Sequence, residues 1–155
     1  MTQPLSIDFL KYKNELVFIK QNGEVKLFDP VRKKYLVKGP EEVVRQLVLL
    51  FLIKEKKYSK NRMAVEKMLK VNGRPKRFDI LVYDTDTMPL MLVECKAPNV
   101  PVTEDVFRQI ATYNLPLRVK YLLVTNGLHS YCCKMDYLRQ SFEFLDEVPS
   151  FASLK

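Results

Sequence analysis

The sequence predicts an α/β domain in which a central mixed sheet is flanked by helices. A helical pattern, three strand patterns, a second helical pattern and a further strand follow one another within residues 40–135, an order that packs helices against a sheet. The passage from strand through helix to strand predicts a parallel pair with a right-handed crossover. Ahead of this core, an Asn-Gly dipeptide between two strand-like runs predicts a separate β-hairpin.

The hairpin and the first helix come first along the chain. Strands are predicted over residues 16–20 and 24–28, joined by the turn Gln21-Asn22-Gly23. Gly39-Pro40 then opens a helix predicted over residues 41–57, because proline is tolerated in the first helical turn. Its apolar residues recur at helical spacing: Val43, Val44, Leu47, Leu50 and Phe51.

The remaining elements form the rest of the predicted core. Strands are predicted over residues 63–71, 76–84, 91–96, 121–125 and 129–135. Turn-forming residues 72–75 and Asn126-Gly127 separate neighbouring strands. The second helix is predicted over residues 103–114, with Thr103 as N-cap and acidic residues in the first turn.

Length and composition indicate one soluble domain. The 155 residues fit a single domain, with an N-terminal hairpin extension over residues 1–30 and a core over residues 40–135. The longest apolar run, Leu47 to Ile53, has seven residues, against the ~20 of a membrane span. Residues 1–11 lack a signal-peptide pattern. We therefore expect a cytoplasmic protein without a membrane partner, whose three cysteines are buried thiols.

Charged residues stand inside two of the predicted strands. Glu94 and Lys96 share one face, because side chains alternate along a strand. The polar linker before them predicts an antiparallel hairpin, and a turn centred between Asp86 and Thr87 places Asp79 opposite Glu94. Directly opposed residues have Cβ atoms about 4.5–5.5 Å apart. Two carboxylates that close repel each other unless a cation lies between them, which predicts a Mg²⁺ or Mn²⁺ site.

This constellation resembles the signature of the PD-(D/E)XK nuclease superfamily, an Asp followed by Glu-x-Lys on a hairpin. Arg77-Phe78 stands where that name has its proline. Further segments follow the order of the N-terminal nuclease domain of type I restriction enzyme R subunits, in a stand-alone form without the helicase motor. They span about Phe28 to Pro149 and comprise residues 32–35, 39–46, 77–84, 93–98, 109–114 and 125–127. The resemblance implies a restriction-endonuclease-like αβββαβ core.

The resemblance also implies a chemistry, metal-assisted hydrolysis of phosphodiester bonds. Asp79, Glu94 and the backbone carbonyl of Cys95 would hold one or two Mg²⁺ or Mn²⁺ ions, and Lys96 would position a water or stabilise charge on the phosphate. An acid on the first helix often completes the metal site in this superfamily. The candidates, in order of preference, are Glu42, Glu66 and Glu41. The two helix acids are also explained by the favourable placement of negative charge at a helix N-terminus.

A second motif lies on the predicted helix after Lys96. Gln109 and Tyr113 are four residues apart and share a helix face. They resemble the Gln-x-x-x-Tyr motif that follows Glu-x-Lys in several members of the superfamily. The resemblance implies that they orient the substrate or support Lys96, with Arg108 beside them as a contact to nucleic acid.

The charge distribution indicates a nucleic-acid partner. The net charge is +8, and residues 54–77 contain ten Lys or Arg against two acids. A basic face of this kind attracts phosphates, and Arg74, Lys76 and Arg77 stand closest to the signature. We expect DNA as the substrate, and the resemblance adds a homodimer, a helicase or other restriction-system subunits as partners.

Three other functions compete with a nuclease. A nucleic-acid-binding module with a degenerate site would show no divalent-dependent cleavage. A hydrolase built on imidazoles is disfavoured, because His129 is the one histidine of the sequence. A small interaction protein whose basic face docks an acidic partner would not bind nucleic acid even at low salt.

Overall fold

Two sheets and two α-helices make up the fold, which a computed structural model describes over residues 4–154. The N-terminal sheet is antiparallel, in the order β1-β2-β3. Its strands are β1 (Phe18–Gln21), β2 (Glu24–Asp29) and β3 (Lys34–Val37). Helix α1 (Pro40–Lys54) follows this sheet and leads into the core.

The main sheet carries six of the described strands, which lie side by side in chain order. They are β4 (Met63–Val71), β5 (Arg74–Tyr83), β6 (Pro89–Cys95), β7 (Tyr121–Thr125), β8 (Ser130–Asp136) and β9 (Ser141–Phe144). Helix α2 (Glu104–Tyr113) connects β6 to β7. These two strands are parallel, and the other neighbours are antiparallel. The predicted α/β fold with a mixed central sheet is confirmed.

The two helices cover opposite faces of the main sheet. Helix α1 buries Val48 and Phe51 on the face that carries Val93. Helix α2 buries Phe107 on the face that carries Leu92. Since Leu92 and Val93 are neighbours on β6, each strand residue can be assigned to a face by the alternation of side chains.

Three features differ from the prediction. Strands β3 and β9 were not predicted, because four residues are too few for a clear alternation of polar and apolar side chains and, unlike β1, neither strand adjoins an Asn-Gly turn. Helix α1 ends at Lys54 rather than residue 57, since Lys57 has a φ of 65°. The amide of Tyr58 then turns back and donates to the Leu52 carbonyl at 3.0 Å. The other predicted elements end within two residues of the observed ones.

The three cysteines, Cys95, Cys132 and Cys133, are buried and unpaired. Among residues 4–154, no helix combines the length and the hydrophobicity that a lipid bilayer crossing requires.

A buried carboxylate fastens the N-terminal sheet to α1. Asp29 has no solvent exposure and accepts hydrogen bonds from the amides of Val31 and Arg32, both at 2.8 Å. It also accepts from Arg32 Nε at 2.7 Å and from Gln46 Nε2 at 2.9 Å. Burial by itself would raise the pKa of the Asp29 carboxyl, but these hydrogen bonds outweigh it and hold the pKa below its ordinary value. The turn after β2 is therefore anchored in the core.

Asp29→Ala should lower the free energy of unfolding by about 3 kcal/mol, because Arg32 and Gln46 lose a buried partner. The stability that Asp29 contributes is present above its unfolded pKa and lost as the pH falls, since its pKa is depressed in the folded protein. Urea denaturation at neutral and acidic pH measures both effects. Asp136→Ala is the matched control, because Asp136 accepts from the amides of Leu138 and Arg139 in the same local pattern but lies exposed. Equal losses in the two variants would contradict the anchoring role.

Candidate functional site

The candidate site lies where β5 and β6 run side by side, near the carboxyl end of β6. Ile80 pairs with Val93, and continuation of this register brings Asp79 opposite Glu94, as the sequence predicts. A bulge shifts the pairing between Val82 and Tyr83, so the shift is confined to the loop end of the hairpin. The Glu94 carboxyl lies within hydrogen-bond reach of the Asp79 carboxyl.

A break in the pleat places Asp79 between the two faces of the sheet. Glu66, midway along β4, has a φ of 52°, a left-handed conformation that costs about 1–3 kcal/mol in a residue other than glycine. The neighbouring pairs are Val65 with Ile80 and Lys67 with Phe78. Phe78 and Ile80 are two residues apart yet belong to opposite cores, so the alternation fails at Asp79. Its carboxylate therefore reaches both α1 and β6.

Both oxygens of Asp79 are engaged. Oδ2 accepts the backbone N–H of Cys95 at 2.7 Å, which fixes the carboxylate against β6. Oδ1 accepts Arg45 Nη2 at 3.1 Å. Asp79 therefore joins α1 to the strand that carries Glu94.

Glu94 is largely buried beside this carboxylate. Burial, followed by the hydrogen bond and the negative charge of Asp79, raises the pKa of Glu94 to about 9, although Lys96 opposes the shift. A carboxyl with such a pKa is protonated at neutral pH. A proton on Glu94 relieves the repulsion that two adjacent carboxylates would otherwise have.

An open cleft of about 280 Å³ exposes Glu94 on the α2 side of the sheet. Its lining residues are Pro75, Lys76, Arg77, Glu94, Lys96, Ile110, Tyr113 and Asn114. Five of the predicted site residues thus face one space: Glu94, Lys96 and Tyr113, together with the basic residues Lys76 and Arg77 of β5. Lys96 is held at the end of β6 by its backbone amide, which donates to the Thr125 carbonyl at 2.9 Å.

Helix α2 contributes less to this cleft than the sequence predicts. The ring of Tyr113 is 68% exposed and lies 3.6 Å from Lys76 Nζ. The same ammonium donates to the Tyr113 carbonyl at 2.6 Å. Gln109 is exposed and does not line the cleft. Arg74, at the β4–β5 turn, also lies outside the lining.

Arg108 points away from the cleft. It pairs with Glu104 at 3.2 Å and lies over the rings of Phe142 and Phe144, at 5.2 and 5.4 Å. Its position on the β9 side of the domain does not support the predicted contact with nucleic acid at this site.

Two arginines bind the acids behind Asp79. Arg45 donates from Nη1 to Glu42 at 2.7 Å, and from Nη2 to Glu41 and Glu66, both at 3.3 Å. Arg32 donates from Nη2 to both oxygens of Glu42, at 3.1 and 3.2 Å, and pairs with Glu66 at 3.5 Å. Sequence reasoning did not single out either arginine, although both lie in the segments that carry the family resemblance. The carboxylates around them were the signal that could have found them, since buried acids need cations.

These ion pairs bear on which acid would join Asp79 and Glu94 in the predicted metal site. Glu42, the first choice from the sequence, is surrounded by Arg32, Arg45 and Gln46, which donates to it at 3.1 Å. Glu41 is half exposed, and after burial the charge of Asp79 is the largest influence that raises its pKa. Glu41 also acts on Glu94, which places it closer to the carboxylate pair than its position third in the predicted order implies.

The cluster suits a divalent cation in donor type. Five further carboxyl groups lie in the ion-pair network around Glu94: Asp29, Glu41, Glu42, Glu66 and Asp79. Carboxyl oxygens are the ligands that Mg²⁺ prefers. Among residues 4–154, no three His, Cys, Asp or Glu side chains already converge as a ligand set. Asp79 and Glu94 therefore fit as two ligands that need a rearrangement of their neighbours.

A family model decides the relationship of this chain to known proteins. The model of the type I restriction enzyme R protein N terminus matches residues 40–149, which is more than half of the sequence. The chain belongs to this family. The match begins at residue 40 rather than near Phe28, so β1, β2 and β3 of this R-protein N-terminal domain lie outside it. No curated protein matches the chain.

A solved structure shares the fold of this R-protein N-terminal domain. It is a fragment assigned as the HsdR subunit of a type I restriction enzyme from Vibrio vulnificus YJ016. The TM-score is 0.52 at 23% sequence identity, over 74% of this chain and 24% of the other. The chain thus spans about a quarter of that fragment, and the similarity concerns the fold.

Proposed function

We propose that this R-protein N-terminal domain is a PD-(D/E)XK nuclease that hydrolyses phosphodiester bonds in DNA with Mg²⁺ or Mn²⁺. The observation that carries the proposal is the largely buried Glu94 carboxyl, which lies beside Asp79 and opens with Lys96 into a cleft edged by basic side chains. A carboxyl whose pKa is strongly raised beside a second carboxyl is typical of sites that bind cations or move protons. Family membership and the helix–three strands–helix–strand order support it.

The proposed ligands are Asp79, Glu94 and the Cys95 carbonyl, with Glu41 rather than Glu42 as the third acid. Glu41 is half exposed and held by one cation, Arg45, whereas Glu42 is shared by Arg32, Arg45 and Gln46. A bound divalent ion would lower the pKa of a coordinated water and neutralise charge on the scissile phosphate.

The remaining side chains of the cleft would act on the substrate. Lys96 is next to Glu94 and lines the same cleft, so its ammonium would orient the attacking water or stabilise charge that develops on the phosphate. Lys76 and Arg77 would contact backbone phosphates on either side of that position. The exposed ring of Tyr113 would hold the Lys76 ammonium in position through a cation–π contact.

We further propose that the domain acts on DNA in the cytoplasm, with other subunits of a restriction system. The basis is family membership together with the net charge of +8. A homodimer is the alternative assembly, and the molecular mass of the protein in solution tests it.

The experiment that tests the proposal is a cleavage assay on supercoiled plasmid with the purified protein. Nicking or linearisation that requires Mg²⁺ or Mn²⁺ and stops with a chelator supports the nuclease. DNA binding without cleavage would favour the second candidate, a non-catalytic nucleic-acid-binding module with the same fold. The observation that favours this module is Arg45, whose guanidinium occupies Asp79 Oδ1 in place of an ion.

DNA binding should depend on the basic residues of the β4–β5 hairpin. Replacement of Arg74, Lys76 and Arg77 by alanine should weaken binding alike for all sequences, and lower the salt slope by about 1 for each phosphate that is no longer neutralised. Fluorescence anisotropy of a labelled duplex over a salt series measures both quantities.

A matched control removes the same charge elsewhere. Lys120 and Lys134 lie at the end of β7 and β8 that is remote from the carboxyl end of β6, Lys13 lies in the segment before β1, and all three are exposed. Their replacement by alanine should leave most of the affinity. Equal weakening by the two triple variants would show that net charge, and not the hairpin, sets the affinity.

A further inference from the structure

We propose that Arg45 is the resident cation of the metal-free site and that a divalent ion displaces it from Asp79. The guanidinium would then turn toward Glu42 and Glu66, so that Arg45 sets both the affinity for the ion and the position of the acids. This inference rests on the proposed nuclease function, because it concerns the same carboxylate pair.

The contacts of Arg45 resemble those of a metal ion. Its side chain is only 5% exposed, and its guanidinium lies between α1, β4 and β5. Nη2 is within 3.1–3.3 Å of oxygens on Glu41, Glu66 and Asp79. An Nη group has two hydrogens, so it cannot donate a full hydrogen bond to three oxygens at once. One positive group therefore holds several anions by charge, as an ion would.

The position of Arg45 conflicts with an ion at Asp79. Oδ2 of Asp79 accepts the Cys95 amide, which turns this oxygen toward the β6 backbone, whereas Oδ1 faces Arg45 and keeps a second lone pair for an ion. Mg²⁺ lies about 2.0–2.1 Å from its oxygen ligands, whereas Arg45 Nη2 stands 3.1 Å from Oδ1. Two cations so close to one oxygen repel each other strongly in a partly buried site. Binding of the ion therefore requires that the contact between Arg45 and Asp79 opens.

The surroundings allow Arg45 to shift without leaving the cluster. Release from Asp79 and Glu41 would leave Nη1 on Glu42 at 2.7 Å and Nη2 with Glu66 at 3.3 Å. Arg45 Nε is buried and has no hydrogen-bond partner among residues 4–154, so no hydrogen bond of that atom resists a rotation of the guanidinium plane. Burial alone would lower the pKa of Arg45, but Glu42 and Asp79 outweigh it and keep the group charged.

The test compares divalent affinities of Arg45→Met and the wild type by calorimetry with Ca²⁺, which needs no activity. Removal of the competing charge should tighten Ca²⁺ binding by about five-fold or more. The metal-free variant should melt at a lower temperature, and Ca²⁺ should restore more of its stability than in the wild type.

Arg32→Met is the matched control. Arg32 also binds Glu42 and Glu66 but makes no contact with Asp79, so its removal should lower the melting temperature without a comparable gain in affinity. A purely structural role for Arg45 predicts the same result for both variants. If Arg45→Met does not fold, ¹⁵N NMR of the arginine side chains in the wild type takes the place of the comparison between variants. Ca²⁺ should shift the Arg45 signal and leave the Arg32 signal nearly unchanged.

The outcomes separate this inference from the proposed function. Ca²⁺ that binds the wild type through Glu94, but no more tightly in Arg45→Met and without a shift of the Arg45 signal, would overturn the displacement. Absence of divalent binding in the wild type and in Arg45→Met would instead refute the metal-dependent nuclease, and the displacement with it.

Discussion

Asp79→Ala and Glu94→Ala are each expected to abolish divalent-ion binding and to reduce DNA cleavage at least about 10³-fold, because both remove a carboxylate ligand. Lys96→Ala is expected to reduce cleavage at least about 10²-fold while the ion binds as tightly as before or more tightly. The reason is that Lys96 is a positive charge beside Glu94, and its removal relieves repulsion of the cation. Plasmid cleavage and calorimetric titration of the three variants measure the two properties separately.

Two pairs of control variants test whether these effects are specific. Asp79→Asn and Glu94→Gln keep the shape of each side chain, so they separate loss of charge from loss of packing around the Cys95 amide. Glu143→Ala and Lys134→Ala remove exposed charges of β9 and β8 and should cleave normally. Full activity of Glu94→Ala, after exclusion of a contaminating nuclease, would refute the catalytic role and favour the binding module.

Divalent binding is expected to release about one proton per ion at neutral pH. The pKa of Glu94 is raised to about 9 by burial and by Asp79, and an ion binds the ionised carboxylate. Affinity should therefore rise about tenfold per pH unit on the acid side of that pKa. Titrations in buffers with different ionisation enthalpies give the proton count directly.

The same pKa fixes the sign of a stability effect in the metal-free protein. Because the folded pKa of Glu94 lies above its unfolded value of 4.5, its contribution is present below that value and lost as the pH rises toward 9. Glu94→Gln should remove this fall and the proton release together. Asp79→Asn should move this fall to lower pH, since Asp79 raises the Glu94 pKa. Proton release unchanged in Glu94→Gln would assign the titration to another group.

The sequence predicted the positions that depend on local pattern and spacing. Side-chain alternation along β6 put Glu94 and Lys96 on one side, and the cleft that both line agrees with this. The hairpin register followed from the spacing of Asp79 and Glu94 around a polar turn. Thr103 caps α2, where its hydroxyl accepts the Val106 amide at 3.2 Å. Each of these features involves residues close in sequence, so short-range rules suffice.

The features that sequence reasoning missed depend on residues far apart in the chain. Arg45 reaches Asp79 from 34 residues away, and Arg32 reaches Glu66 from the same separation, so no local pattern predicts either pair. The left-handed conformation of Glu66 is set by its neighbours in the sheet, because an isolated strand residue would avoid it. The contacts of both arginines with Glu42, which bear on the order of the candidate acids, likewise join residues that no short-range pattern connects.

The anchoring of Asp29 has a consequence for how this domain is delimited. The family model begins at residue 40, yet Gln46 and Glu42 beyond that boundary take partners from Asp29 and Arg32 before it. A fragment cut at the family boundary would keep every residue that lines the cleft, but it would remove Arg32 from Glu42 and Glu66, and Asp29 from Gln46. The segment that the family model matches is therefore shorter than the segment whose side chains contact one another at the site. The smaller N-terminal sheet contributes to the electrostatics of the site although it lies outside the matched sequence.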